Sequence, residues 1–158
     1  MICPRSKKNL GFSLPEVLIV VLIIAILVVL AVPQLNASMQ LNRLQTSSTI
    51  IAAKLSEAKA IAVKQNKSIS FVVDKNNMSV WVESNSTVIG AVEGLPQNIK
   101  IKTSPNSTAV KEYITFNSMG NLVTAPATIY PYYEAENLEL PITISISGKI
   151  KIGTIQTY

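Results

Sequence analysis

Histidine is absent from the chain. That removes the commonest general base and the commonest zinc or copper ligand. Cysteine occurs once, at Cys3, so no disulfide framework, CxxC pair or Cys–His dyad can be built. Charged residues are scarce, at 15%, where a quarter is usual, while apolar residues make up 48%. Low charge with high apolarity excludes a disordered chain and points to a membrane segment. No HExxH, P-loop or GxSxG motif is present. These absences leave most enzyme classes without their chemistry, and we expect no enzyme, no cofactor and no metal site. A length of 158 residues allows one domain with a real core and hardly two.

The formal charge is +5, from 14 basic and 9 acidic residues. Arg5, Lys7 and Lys8 carry three of these basic charges at the extreme N-terminus, and the remainder is nearly balanced. Any nucleic-acid affinity must therefore come from a local patch rather than from net charge.

A short basic segment, Met1 to Asn9, precedes a run from Val17 to Val32 made only of Val, Leu, Ile and Ala. As a helix, Phe12 to Val32 would reach about 31 Å, close to the ~30 Å bilayer core. Glu16 is the one charge in that stretch. The positive-inside rule puts Met1 in the cytoplasm and the rest of the chain outside. An ordinary signal peptide cleaved near Ala37, giving a secreted binding domain, is the distant alternative. Against it stand the length of the apolar run, the bulky Leu35 where a small residue is needed, and Glu16.

Gly11-Phe12-Ser13-Leu14-Pro15-Glu16 followed by the apolar run resembles the processing and assembly signal of type IV pilins and pseudopilins. The resemblance implies cleavage between Gly11 and Phe12 by a prepilin peptidase, and methylation of the new amino group on Phe12. Pro15 suits such a mature end. Its i−4 carbonyl would belong to Gly11, and proline is tolerated in a first helical turn whose amides are unpaired anyway. A charge near the bilayer needs a partner. For Glu16 the resemblance implies the Phe12 amine of a neighbouring subunit, a pair that would set assembly register. Pairing within its own chain, or protonation, stays open. Pro33 should kink or loosen the helix just past the apolar run.

Apolar residues recur at helical spacing beyond the run: Leu35, Met39, Leu41, Leu44, Ile51, Leu55, Ala58 and Ala62. No Gly or Pro interrupts 34–66, and Asn66 is a plausible stop. The reading is a cleaved leader over 1–11, a transmembrane helix over 12–34, its amphipathic continuation over 35–66, and a β-rich domain over 67–158. In the last, Ser68–Val73 and Met78–Glu83 form a hairpin around Asp74-Lys75-Asn76-Asn77. Asn98–Thr103, Tyr113–Asn117, Leu122–Tyr130, Ile142–Ser147 and Lys149–Ile155 follow. About seven short antiparallel strands on one helix face make an α+β, pilin-like fold.

Three segments resemble the GspH/FimT family of minor pilins and pseudopilins: Leu55 to Asn66, Ile114 to Gly120, and Ile144 to Lys151. The family would be expected to carry Arg where Lys59, Lys149 and Lys151 stand. Glu134, Glu136 and Glu139 beside Tyr130, Tyr132 and Tyr133 could bind a hard cation, though a solvated loop explains them. Gly148-Lys149-Ile150-Lys151 aligns two lysines on one strand face, and Lys100 and Lys102 repeat the pattern. In some FimT-like pilins an element of this kind, with arginines, is linked to DNA binding. Lysine cannot reproduce the bidentate fork of arginine. A half-buried strand with lysines outside and isoleucines inside explains the pattern equally.

The function expected is a structural or priming subunit of a type IV pilus or type II secretion pseudopilus. Its partners would be prepilin peptidase, the other pilin or pseudopilin subunits and the bacterial inner membrane. The alternative is the same scaffold acting as a DNA receptor during uptake.

Overall fold

The computed structural model describes residues 13–104, 108–123 and 127–157; within the first helix the side chains of 30–37 are not described. The chain divides into two compact units, Met1–Met39 and Gln40–Tyr158. One helix, α1 (Leu14–Gln65), supplies residues to both.

In the first unit the helix starts where the sequence puts a proline. The amides of Glu16 and Val17 both donate to the Ser13 carbonyl, at 3.1 and 3.3 Å, so Pro15 lies in the opening turn where its missing N–H costs nothing. Leu14 to Val29 are exposed along their whole length. Among the described residues no helix is long and apolar enough to cross a membrane, and the side chains of the apolar run are described only to Val29. The helical span continues through Pro33.

In the second unit the helix buries a stripe, Leu44, Ser48, Ile51, Leu55, Ala58 and Ala62, at three- and four-residue spacing. Met39, expected on that stripe, is half exposed. Ser47 and Ser48, which sequence reasoning passed over, are fully buried because each hydroxyl donates back to the carbonyl four residues earlier, at 2.8 and 3.0 Å. The helix ends at Asn66 as expected. Asn66 has a φ of 51°, its amide reaches Val63, and the Lys67 amide reaches Ala62 at 3.2 Å. That pair of bonds is a Schellman cap, which satisfies carbonyls the helix would otherwise leave orphaned.

Among the described residues ten strands follow, where about seven were expected: β1 (Ile69–Asp74), β2 (Ser79–Ser84), β3 (Thr87–Gly94), β4 (Lys100–Ser104), β5 (Lys111–Phe116), β6 (Ala127–Tyr133), β7 (Leu138–Glu139), β8 (Ile142–Ile144), β9 (Ile150–Ile152) and β10 (Gln156–Thr157). They form two antiparallel sheets, β3-β2-β1-β5 and β10-β7-β6-β8-β9, with β4 also on β6. The first hairpin is where it was read: Val72 faces Trp81, and Asp74 faces Ser79. Strand β3 was missed. Its turn is Asn85-Ser86, both at positive φ (47° and 65°), a two-residue primed turn without the glycine that usually marks one. Leu122–Tyr130 is not one strand: Leu122 makes an isolated bridge to Phe116, and β6 begins at Ala127. The expected strand Ile142–Ser147 ends at Ile144, because Ser145 to Lys149 close a turn.

The core lies between the helix stripe and both sheets. Ile51, Leu55, Ala58 and Ala62 pack with Phe71, Val80, Phe116, Ile129 and Ile144 in one buried cluster. Leu44, Ile99 and Leu140 form a smaller one.

Candidate functional site

The sequence singled out two regions, one at each end of the chain. Gly11 and Phe12 lie outside the described residues. Glu16 occupies the first helical turn, exposed, at the end where a carboxylate suits the helix dipole. Pro33 falls inside the helical span, among residues whose side chains are not described.

The three segments that carried the subfamily resemblance meet at one place in the second unit. The Lys59 amine, on the end of α1, donates to the carbonyls of Gly148 at 2.8 Å and Ser147 at 3.5 Å. The Met119-Gly120 turn is held by Asn117, whose Oδ1 accepts the amides of Met119 (3.0 Å) and Asn121 (2.9 Å). Gly120 and Gly148 both have positive φ, 77° and 68°. A β-carbon on Gly148 would sit 2.0 Å from the Gly120 carbonyl oxygen, and one on Gly120 would sit 2.9 Å from Lys59 Cε. The glycine of Gly148-Lys149-Ile150-Lys151 is thus required by packing. Sequence reasoning named all three segments but had no signal that Lys59 tied them together.

Lys149 and Lys151 are exposed, and among the described residues neither side chain has an ion pair or hydrogen bond. Ile150 is half-buried, but Ile152 is 41% exposed, so the simple picture of lysines outside and isoleucines inside holds only for the first of the pair. Lys64 and Lys67, at the helix end, are likewise exposed and unpaired among the described residues.

Lys100 and Lys102 do not repeat this. Lys100 pairs with Glu134 and Lys102 with the buried Glu139, and the Lys102 amine also stands over the rings of Tyr130 and Tyr132, 5.4 and 5.6 Å from their centres. Those pairs account for two of the three acidic residues near the tyrosines. Glu134 and Glu136 form a short 3-10 turn, whereas Glu139 lies in β7. Among the described residues no group of acidic side chains is arranged to hold a metal ion.

A second polar cluster escaped sequence reasoning. Glu112 on β5 accepts from both Lys75 and Thr103, and Lys75 reaches Thr103 at 3.4 Å. It ties the β1–β2 turn and one sheet to β4 in the other. Beside it, Asp74 Oδ1 accepts the amides of Asn76 and Asn77 at 2.9 and 3.1 Å. The Asn77 backbone N–H is the main cause that holds the Asp74 carboxyl below its ordinary range. The Asn77 side chain, the Asn76 amide and Lys111 act in the same direction, against burial.

A long helix and two antiparallel sheets follow a basic N-terminus and an apolar run, which is the arrangement of a pilin-like fold. The family described as "Prokaryotic N-terminal methylation motif" matches residues 6–32. The type IV minor pilin FimU of Pseudomonas aeruginosa has a similar structure, with a TM-score of 0.60 at 19% identity over 73% of this chain and 91% of that one. The minor pseudopilin EpsH from the Type 2 Secretion System of Vibrio cholerae is similar at a TM-score of 0.56 and 10% identity, over 71% of this chain and 97% of that one. No curated protein sequence matches the chain. The fold is therefore that of pilin-like proteins of the GspH/FimT type, behind a prepilin-like N-terminus.

Proposed function

We propose that the chain is a minor, tip-proximal or priming subunit of a type IV pilus or a type II secretion pseudopilus, with no enzymatic role. The observation that carries this is the methylation motif over residues 6–32 directly ahead of a pilin-like fold. The subunit is held in the inner membrane by residues 12–34, with Met1 cytoplasmic and the β domain outside. Prepilin peptidase cuts after Gly11, and Phe12 is methylated. Helix packing then supplies cohesion, and the Glu16 carboxylate meets the Phe12 amine of a neighbour to set register. Lipid makes that pairing worth more than in water, since the alternative is an uncompensated charge.

Sequencing the N-terminus of the membrane-associated protein tests the reading. We expect methylated Phe12 as the first residue, and a Glu16→Ala variant that is cleaved but not incorporated into filaments. A start near Ser38 would instead mean an ordinary signal peptide and a secreted domain. Unchanged incorporation of Glu16→Ala would remove the register role.

A second reading is favoured by one feature. Lys149 and Lys151 are exposed, and Lys149 lines one groove with Lys64, which suits phosphate contacts to a DNA backbone in an uptake pilus.

A further inference from the structure

We propose that the groove between the last turns of α1 and the β8–β9 turn seats an acidic, amphipathic segment of a different filament subunit. The proposal rests on the reading of the chain as a filament subunit and names the partner at one of its surfaces. The groove is shallow, about 640 Å³. Ala60, Val63 and Ile150 give it apolar lining, Lys59, Lys64 and Lys149 line it with cations, and no carboxylate lines it. Lys59 is engaged by the Ser147 and Gly148 carbonyls, which leaves Lys64 and Lys149 as the charges available to an incoming chain.

Charge complementarity decides what the occupant is. In the second unit nearly every carboxylate already has a partner. Glu57 and Glu93 share Lys54, Glu83 accepts from Trp81, and Asp74 caps its own turn. Glu112, Glu134 and Glu139 hold Lys75, Lys100 and Lys102. Among the described residues of this unit Glu136 alone lacks one. Among the described residues of its β domain, a second copy of this chain offers the groove Glu136 as its one unpaired carboxylate, against two available lysines, so charge complementarity favours a different, more acidic molecule.

Between nucleic acid and protein the lining favours protein, and nucleic acid is an outcome of the test. The lining presents no aromatic face for base stacking and no arginine fork for phosphate. It does present apolar side chains, and exposed Met119 and Ile146 (77% and 60%) stand on the two turns that converge beside it. An apolar strip flanked by lysines matches a segment with apolar residues on one side and Asp or Glu beside them. The groove is too small to be a whole interface, so it is one anchor of a larger contact.

The test uses the full-length protein in the cells that make it. Benzoylphenylalanine is placed at position 150 in one strain and at the exposed position 88 in another. Envelopes are nuclease-treated and filaments isolated before and after irradiation, and adducts are mapped by mass spectrometry. We expect adducts from position 150 to map to a segment of another pilin-like subunit rich in Asp or Glu. The double change Lys64→Glu/Lys149→Glu should lower their yield about tenfold or more, leaving the melting temperature and the adducts from position 88 unchanged. Adducts to a second copy, to nucleic acid or to lipid overturn the inference. So does protein present in filaments with no adduct from position 150, or with a yield that the charge reversal leaves intact. Protein absent from filaments altogether overturns the functional reading itself, and this inference with it.

Discussion

At the scale of single residues, backbone geometry outranks side-chain chemistry in the junction that links helix, β5 and β8. Gly148 stands at a φ of 68° with a carbonyl oxygen where its β-carbon would go. Alanine there must move backbone, since Gly120 has no flexible end to swing aside. We expect Gly148→Ala to cost about 2–4 kcal/mol and lower the melting temperature by roughly 10 °C. Gly94, with open space around it, should tolerate alanine within about 0.5 kcal/mol. Equal melting of the two variants by circular dichroism would contradict the packing argument. The sequence showed Gly148 as the first residue of a basic element. It could not show that this glycine belongs to the core and its neighbour Lys149 to the surface, because that depends on where Gly120, distant in sequence, arrives.

Asp74 gives a pH prediction on the same scale. Its carboxyl titrates lower in the fold than in the unfolded chain, chiefly because the Asn77 amide bonds the charged form. A lowered folded value means stability that is fully present above the unfolded value and lost as pH falls through the folded one. Denaturant titrations from pH 6 downward should therefore show a falling midpoint beginning near pH ~4. Asp74→Asn should flatten that limb. A limb unchanged by the substitution would assign it to other carboxylates.

At the scale of elements, the helix has two halves with different work, and the pattern that makes each is visible without coordinates. Continuous apolarity from Val17 to Val32 leaves that half without a polar face, whereas Leu44 to Ala62 make a stripe. Leu55 is fully buried against the sheets, so Leu55→Ala should destabilise the β domain by about 2–5 kcal/mol. Leu22, 61% exposed in the other unit, should leave the melting of that domain unmoved when changed to alanine. Thermal melts of the full chain in detergent, followed at Trp81, separate the two. Strands were less legible. The first hairpin could be read because Asp74, Asn76 and Asn77 mark its turn. β3 could not, because Asn85-Ser86 turns the chain without glycine and the strand that follows is nearly all exposed. Strands of two or three residues, such as β7 and β10, exist only because a neighbour pairs with them.

At the scale of the whole molecule, charge is the property that local reading misplaces. Four lysines in two alternating pairs look equivalent along the chain. Folded, Lys100 and Lys102 are neutralised by Glu134 and Glu139, while Lys149 and Lys151 remain exposed, Lys149 on the groove that Lys64 also lines. If the uptake reading is right, duplex DNA titrated against the full chain in detergent binds more weakly as salt rises. Lys149→Ala/Lys151→Ala then loses affinity with a salt slope shallower by about 2. Lys100→Ala/Lys102→Ala should leave that slope unchanged, and binding that survives the Lys149/Lys151 change would end the reading.

The N-terminal methylation motif, the helix with its stop at Asn66 and the α+β class can all be read along the chain. Each rests on local periodicity or on a residue's own backbone preference, and these act before any long-range contact forms. Tertiary structure alone decided which lysines are free and that the glycines at 120 and 148 touch. It also decided that Lys59 holds a turn nearly ninety residues away, 2.8 Å from its carbonyl. Those outcomes depend on pairings between distant segments, and a linear pattern carries no record of distance in space.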